Sequence, residues 1–143
     1  MTYTNYDIDG WYVSLPQNWQ MSLDKEQQPP QIIFEVPEEP VTIYISTWDF
    51  QRPETGELAG REILASFVLR TFEMRNIARL TGYDEYYPQG FDVYMGKSMT
   101  ADNYLMISCL LCTEGSMFSF YIVCGEGVDF EKYLQYLKMI ERN

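Results

Sequence analysis

Two apolar runs separated by a short polar segment dominate the pattern of the chain. Residues 104–112 are apolar except for Ser108, Thr113-Glu114-Gly115-Ser116 interrupts, and residues 117–124 form a second apolar run. Both have strand length and are rich in aromatic and β-branched types, so the glycine-containing segment between them predicts an antiparallel hairpin at the centre of a sheet. Trp11, Val13 and Leu15 alternate with polar positions up to Pro16 and predict a first strand. Residues 31–36 and 41–48 predict two more, with Val41, Ile43 and Ile45 on one face of the second. Pro37-Glu38-Glu39-Pro40 joins them, a composition that discourages extra pairing at a sheet edge. Residues 91–99 predict another strand, interrupted by Gly96, which suggests a bulge or a close approach of another backbone.

The spacing turns helical over residues 57–80. Ile63, Leu64, Phe67, Val68, Thr71, Met74 and Ala78 share one broad face that is expected to lie on the sheet. Thr55 suits the N-cap, Arg75 and Arg79 suit the negative end of the helix dipole, and Gly82 falls where a left-handed terminal residue is expected. A closing helix is predicted over residues 130–141, with Phe130, Leu134, Leu137 and Ile140 inward, Asp129 as N-cap, and Val128 with Tyr133 as a hydrophobic staple. Residues 24–30 read as a polar surface loop.

Composition narrows the function. The 143 residues suit a single domain spanning 1–143, and 46% apolar with 16% aromatic residues marks a globular chain. The longest apolar run is far below the ~20 residues of a membrane-spanning helix, and the first residues show no secretory signal, which points to a cytoplasmic protein. Ten Lys and Arg against 21 Asp and Glu give a charge of -11, which argues against nucleic acid and membrane surfaces as partners. The charge is spread along the chain and reads first as solubility, with a basic protein partner drawn by that field as the alternative. Cys109, Cys112 and Cys124 all lie in the apolar hairpin and are expected as buried, reduced thiols. Cys109 and Cys112 have the spacing of redox and zinc motifs, yet positions i and i+3 of a strand point to opposite faces.

No histidine is present, which removes the commonest general base, His metal ligation and histidine-activated nucleophiles. Asn5, Asp7, Asp9 and Gly10 match the opening of an EF-hand loop, but its twelfth position is Pro16. Gly125-Glu126-Gly127 sits between a strand and a helix like a dinucleotide turn, with Phe130 in place of the third glycine and acids facing the phosphates. Ser22 and Lys25 have the spacing of an acyl-transfer motif within a polar loop. None of these supplies a catalytic, cofactor-binding or metal-binding set, so no cofactor is expected. What remains is aromatic. Tyr83, Asp84, Glu85, Tyr86 and Tyr87 form one candidate protein-binding segment, and Trp48 with Phe50 forms a second. The competing reading is that these rings close the ends of the core.

The order of elements, with the Pro16-Gln17-Asn18-Trp19 turn after the first strand, resembles the PsbP-like fold. That fold is shared by the photosystem protein PsbP, a Ran-binding nuclear import factor and several bacterial families of unknown function; the chain also resembles small bacterial proteins of unknown function such as those of gut Bacteroidetes. The resemblance implies an α+β architecture: a single antiparallel sheet of about six strands flanked by one long and one C-terminal helix, an α/β/α sandwich. It also implies a non-enzymatic adaptor or assembly role. The expectation is therefore a protein-binding module. The alternatives are an immunity protein or effector chaperone for a toxin, and a small-ligand binder or carboxylate-dependent enzyme.

Overall fold

The computed structural model describes residues 2–50 and 60–142. The predicted hairpin forms as β8 (Leu105–Thr113) and β9 (Ser116–Cys124), turning through Glu114 and Gly115, with Gly115 at a positive φ of 67°. Around it assemble β3 (Gln20–Asp24), β4 (Gln31–Glu35), β5 (Val41–Asp49), β6 (Ala78–Leu80) and β7 (Asp92–Met99). The result is a seven-stranded antiparallel sheet in the order β3-β4-β5-β9-β8-β7-β6. A second sheet of three strands, β1-β2-β10, comprises β1 (Tyr3–Ile8), β2 (Trp11–Pro16) and β10 (Glu141–Arg142).

The expected single sheet of about six strands in an α/β/α sandwich is thus corrected to an α+β fold with two antiparallel sheets. One face of the large sheet, carrying Ile43, Ile107, Phe118, Phe120 and Ile122, packs against Trp11, Val13 and Leu15 of the small sheet and against the C-terminal segment. Trp11 lies 5.4 Å from Phe118 between ring centroids and donates its indole N–H to Ser116 Oγ at 2.9 Å. Trp19, turned inward by a Trp19 N–H to Pro16 carbonyl bond of 3.2 Å, packs among Phe34, Tyr133 and Tyr136.

In the small sheet β2 is the expected first strand, β10 lies at the end of the expected closing helix, and β1 is too polar for the pattern to predict it. Its turn was legible: Asp9 and Gly10 take φ of 51° and 85°, the pair of positive values that an Asp-Gly hairpin turn uses, and Asp7 Oδ1 accepts the Gly10 N–H. The residues that imitate a calcium loop therefore build a tight hairpin.

The long helix is shorter than its pattern. α1 spans Arg61–Met74, and the expected N-cap Thr55 lies outside the described residues. Its end is a left-handed cap at Asn76 (φ 54°), not Gly82: Asn76 N–H bonds the Glu73 carbonyl and Ile77 N–H bonds the Phe72 carbonyl. The chain then enters β6, so Ala78, Arg79 and Leu80 are strand rather than helix. The closing helix is also reduced. α2 (Glu131–Leu134) gives way to a 3-10 turn at Gln135–Met139, and Ile140 is extended so that β10 can pair with β2. Asp129 does cap locally, its Oδ1 accepting the Glu131 N–H at 3.1 Å, although Phe130 holds the N-cap position.

α1 packs on the opposite face of the large sheet, where Leu64, Val68 and Phe72 meet Leu110, Cys112 and Met117. Gly96 explains the closeness. A Cβ there would lie 2.3 Å from Ile77 Cγ2 and 2.9 Å from the Phe72 ring, while the β7–β8 register runs through Gly96 unbroken. It marks a close approach of side chains, with no bulge. Gly96→Ala is expected to destabilise by about 1–3 kcal/mol through overpacking. Urea denaturation measures this, and an unchanged midpoint would show that α1 floats on the sheet.

The cysteines divide between the two faces as strand geometry requires: Cys109 and Cys124 in the larger cluster, Cys112 under α1, all unpaired and buried. Burial raises all three thiols above their ordinary value, Cys112 to about 12. The unfolded chain ionises its thiols first, from about pH 8.5. Their contribution to stability is therefore full below that pH and lost as pH rises toward 12. The urea midpoint is expected to fall steadily above about pH 9. At pH 8 a thiol reagent should modify none of the three cysteines in the folded protein and all of them in urea.

Candidate functional site

The two aromatic segments expected to bind a partner lie on different faces of the large sheet. Tyr83, Tyr86 and Tyr87 pack against the larger core cluster, at the side where the C-terminal segment closes it. A 3-10 turn over Asp84–Tyr86 holds them, with Tyr86 N–H bonded to the Tyr83 carbonyl and Tyr87 N–H to the Asp84 carbonyl, each at 3.0 Å. The Tyr83 ring lies 6.1 Å from Phe130 and 6.3 Å from Tyr86, and Lys138 Nζ sits 6.0 Å over the Tyr86 ring. Asp84 and Glu85 point to solvent. The tyrosines are half-buried covers of the core more than a free surface.

Burial raises the phenols of Tyr83, Tyr86 and Tyr87. Carboxylates add to it: Glu131 and Asp129 at Tyr83, Glu85 and Glu131 at Tyr86, Asp84 at Tyr87. These groups stay protonated at neutral pH and serve poorly as phenolate nucleophiles or bases.

Trp48 and Phe50 belong to the opposite face. Trp48 stacks on Phe50 with ring planes 7° apart and centroids 6.2 Å apart, and Phe50 N–H donates to the Gly115 carbonyl at 2.7 Å. The Trp48 indole N–H is buried and without a hydrogen-bond partner among the described residues. Phe50 continues onto α1, its ring 5.4 Å from Phe67.

Here the expected helix face divides. Leu64, Val68 and Phe72 are buried, whereas Ile63, Phe67 and Met74, expected on the sheet, are 44%, 42% and 76% exposed. At about 100° per residue, Ile63, Phe67 and Met74 form a stripe beside the buried one, and the apolar face as a whole is wider than the sheet beneath it can cover. Glu62, Ile63, Ser66, Phe67 and Arg70 line a shallow groove of about 490 Å³ along this flank. Sequence reasoning named Trp48 and Phe50 but placed their helical neighbours in the core. The missed signal was the width of the apolar face.

A second concavity, of about 540 Å³, lies where the β4–β5 and β7–β8 connections meet. Glu35, Asp102, Tyr44 and Tyr104 line it without any Lys or Arg, which suits a cation better than an anion. Glu39 also borders it, but its carboxylate already pairs with Lys132 and accepts the Tyr133 hydroxyl. Among the described residues no group of three or more Cys, Asp or Glu side chains is placed to hold a metal ion, and no helix is long and apolar enough to cross a membrane.

No family model and no curated protein matches the chain. Among solved structures, a protein of Bacteroides thetaiotaomicron VPI-5482 superposes on it with a TM-score of 0.68 at 14% identity. The match covers 100% of this chain and 49% of that one, so the chain spans about half the length of its structural neighbour. At that identity the likeness is one of fold: the two-sheet α+β architecture described above.

Proposed function

We propose that the protein is a non-enzymatic binding module that docks a partner protein through the exposed flank of α1 and the Trp48–Phe50 stack. The observation that carries this reading is the stripe of Ile63, Phe67 and Met74, which the fold leaves uncovered although a helix face of that hydrophobicity ordinarily packs. Rings and methionines of this kind bury large area at small entropic cost and adapt to a partner's shape. The partner is a protein with an apolar ridge and a basic surround, drawn by the charge of -11. Three unpaired thiols suit a reducing setting such as the cytoplasm. Nucleophile supply is poor in comparison, with the thiols and the three clustered tyrosines all held toward their protonated forms.

Affinity capture from the native host tests this with two variants of matched melting temperature, Phe67→Asp with Met74→Asp, and Tyr86→Arg with Tyr87→Arg. The expected result is a single protein retained by the wild type and by the tyrosine variant, and weakened at least about tenfold by the α1 variant, as loss of an interface anchor would do. Retention by the α1 variant, or loss only with the tyrosine variant, would overturn the assignment of the surface. Capture of nothing by the wild type would count against the binding module itself.

A further inference from the structure

Among the described residues the large sheet ends in β3 and β6, and the small sheet ends in β1 and in β10, which at two residues is too short to template a further strand. Edge strands template further pairing unless charge, proline or a bulge blunts them. β6 is blunted: it has three residues centred on Arg79, so a second copy pairing there about its centre would set two guanidinium groups opposite each other. β1 already spends Tyr6 and Ile8 on the core and leaves Tyr3, Asn5 and Asp7 outward. β3 is different. Gln20, Met21, Ser22 and Leu23 are all exposed, and Met21 and Leu23, at 56% and 50%, stand on the face that continues the core. Their register partners on β4 are Phe34, fully buried, and Ile32.

We infer that β3 is the interface for a second copy of this chain, the two β3 strands pairing antiparallel about a two-fold axis at Ser22. The strand is self-complementary in that register. Met21 faces Leu23 of the second copy and Leu23 faces its Met21, which makes two apolar cross-strand pairs on the core side. Gln20 faces Asp24, so an amide N–H donates to a carboxylate on the other side. Beyond the strand, Lys25 comes opposite Trp19 and Glu26 opposite Asn18, and nowhere in the register does a carboxylate oppose a carboxylate. The remaining charge of the two copies lies outward from this seam and is screened beyond about 8 Å at physiological salt. Pairing joins the two seven-stranded sheets into one continuous sheet, as an isologous two-fold interface does. The strand is short and the buried area correspondingly small, so the dimer is a reversible one. This interface is separate from the α1 flank proposed above, and the two stand or fall independently.

Sedimentation of the purified chain from about 1 µM to about 1 mM, the range in which small interfaces dissociate, reads the equilibrium directly. The expected result is a shift from 16.9 kDa toward twice that mass. Leu23→Lys should abolish the shift and Phe67→Asp should leave it intact. Ser22→Cys, placed on the axis, should cross-link under mild oxidation as a covalent dimer, while the control Ser66→Cys on α1 should not, the native cysteines being buried. A wild type that stays at 16.9 kDa throughout would overturn the inference. So would a dimer lost with Phe67→Asp but kept with Leu23→Lys, or equal cross-linking at positions 22 and 66.

Discussion

The pairing of β8 with β9 is the constraint on which the rest of the molecule depends. Both strands are buried on both faces: Ile107, Cys109 and Leu111 of β8 on one side, Leu110 and Cys112 on the other. A strand of that kind has no wet face, so something must cover each side of the sheet. On one side the small sheet and the C-terminal segment cover the central strands, sealed by Trp11 and Trp19. On the other a single helix of 14 residues covers β8 and its neighbours toward β6, anchored through Leu64, Val68 and Phe72.

That asymmetry leaves open the surface proposed for docking. The helix meets the sheet along one narrow stripe, set by the close approach that Gly96 permits, and rotates the remainder of its apolar face toward solvent. Phe50 then bridges from the end of β5 to Phe67 and makes one surface from a strand end and a helix flank. The tyrosine segment took the other path. Its rings found partners in Phe130 and Lys138 and became part of the wall.

Three buried serines of β5 and β9 are satisfied locally and support packing over chemistry, whereas the Trp48 indole N–H and the Ser98 hydroxyl of β7 have no partner among the described residues. Ser46 and Ser119, buried opposite each other on β5 and β9, share a hydroxyl contact of 2.6 Å, and the Ser119 hydroxyl also donates to the Ser46 carbonyl at 3.1 Å. Ser116 accepts from Trp11 and donates to the Trp48 carbonyl, linking the two sheets through one side chain. Such groups cost little once paired and fix strand register against slippage.

Where alternation was strong the chain could be read directly. The β5 strand, the inward Trp11-Val13-Leu15 face and the opposed placement of Cys109 and Cys112 follow from a two-residue period, and β8 and β9 from apolar runs of strand length around a glycine-containing segment, all of them local properties of the chain. The absence of histidine and the charge of -11 are likewise properties of composition, and they narrow the chemistry whatever the fold. Tertiary structure decided what local pattern leaves degenerate. Ala78-Arg79-Leu80 continues a helical spacing but pairs with β7, because Asn76 ends the helix and an open sheet edge is within reach. β1 and β3 carry too few apolar residues to announce themselves and exist because neighbouring strands offer them hydrogen bonds. Which half of the apolar face of α1 is buried, and therefore which residues remain exposed, depends on how close the helix can come to Gly96 on the sheet, a distance that no window of sequence contains.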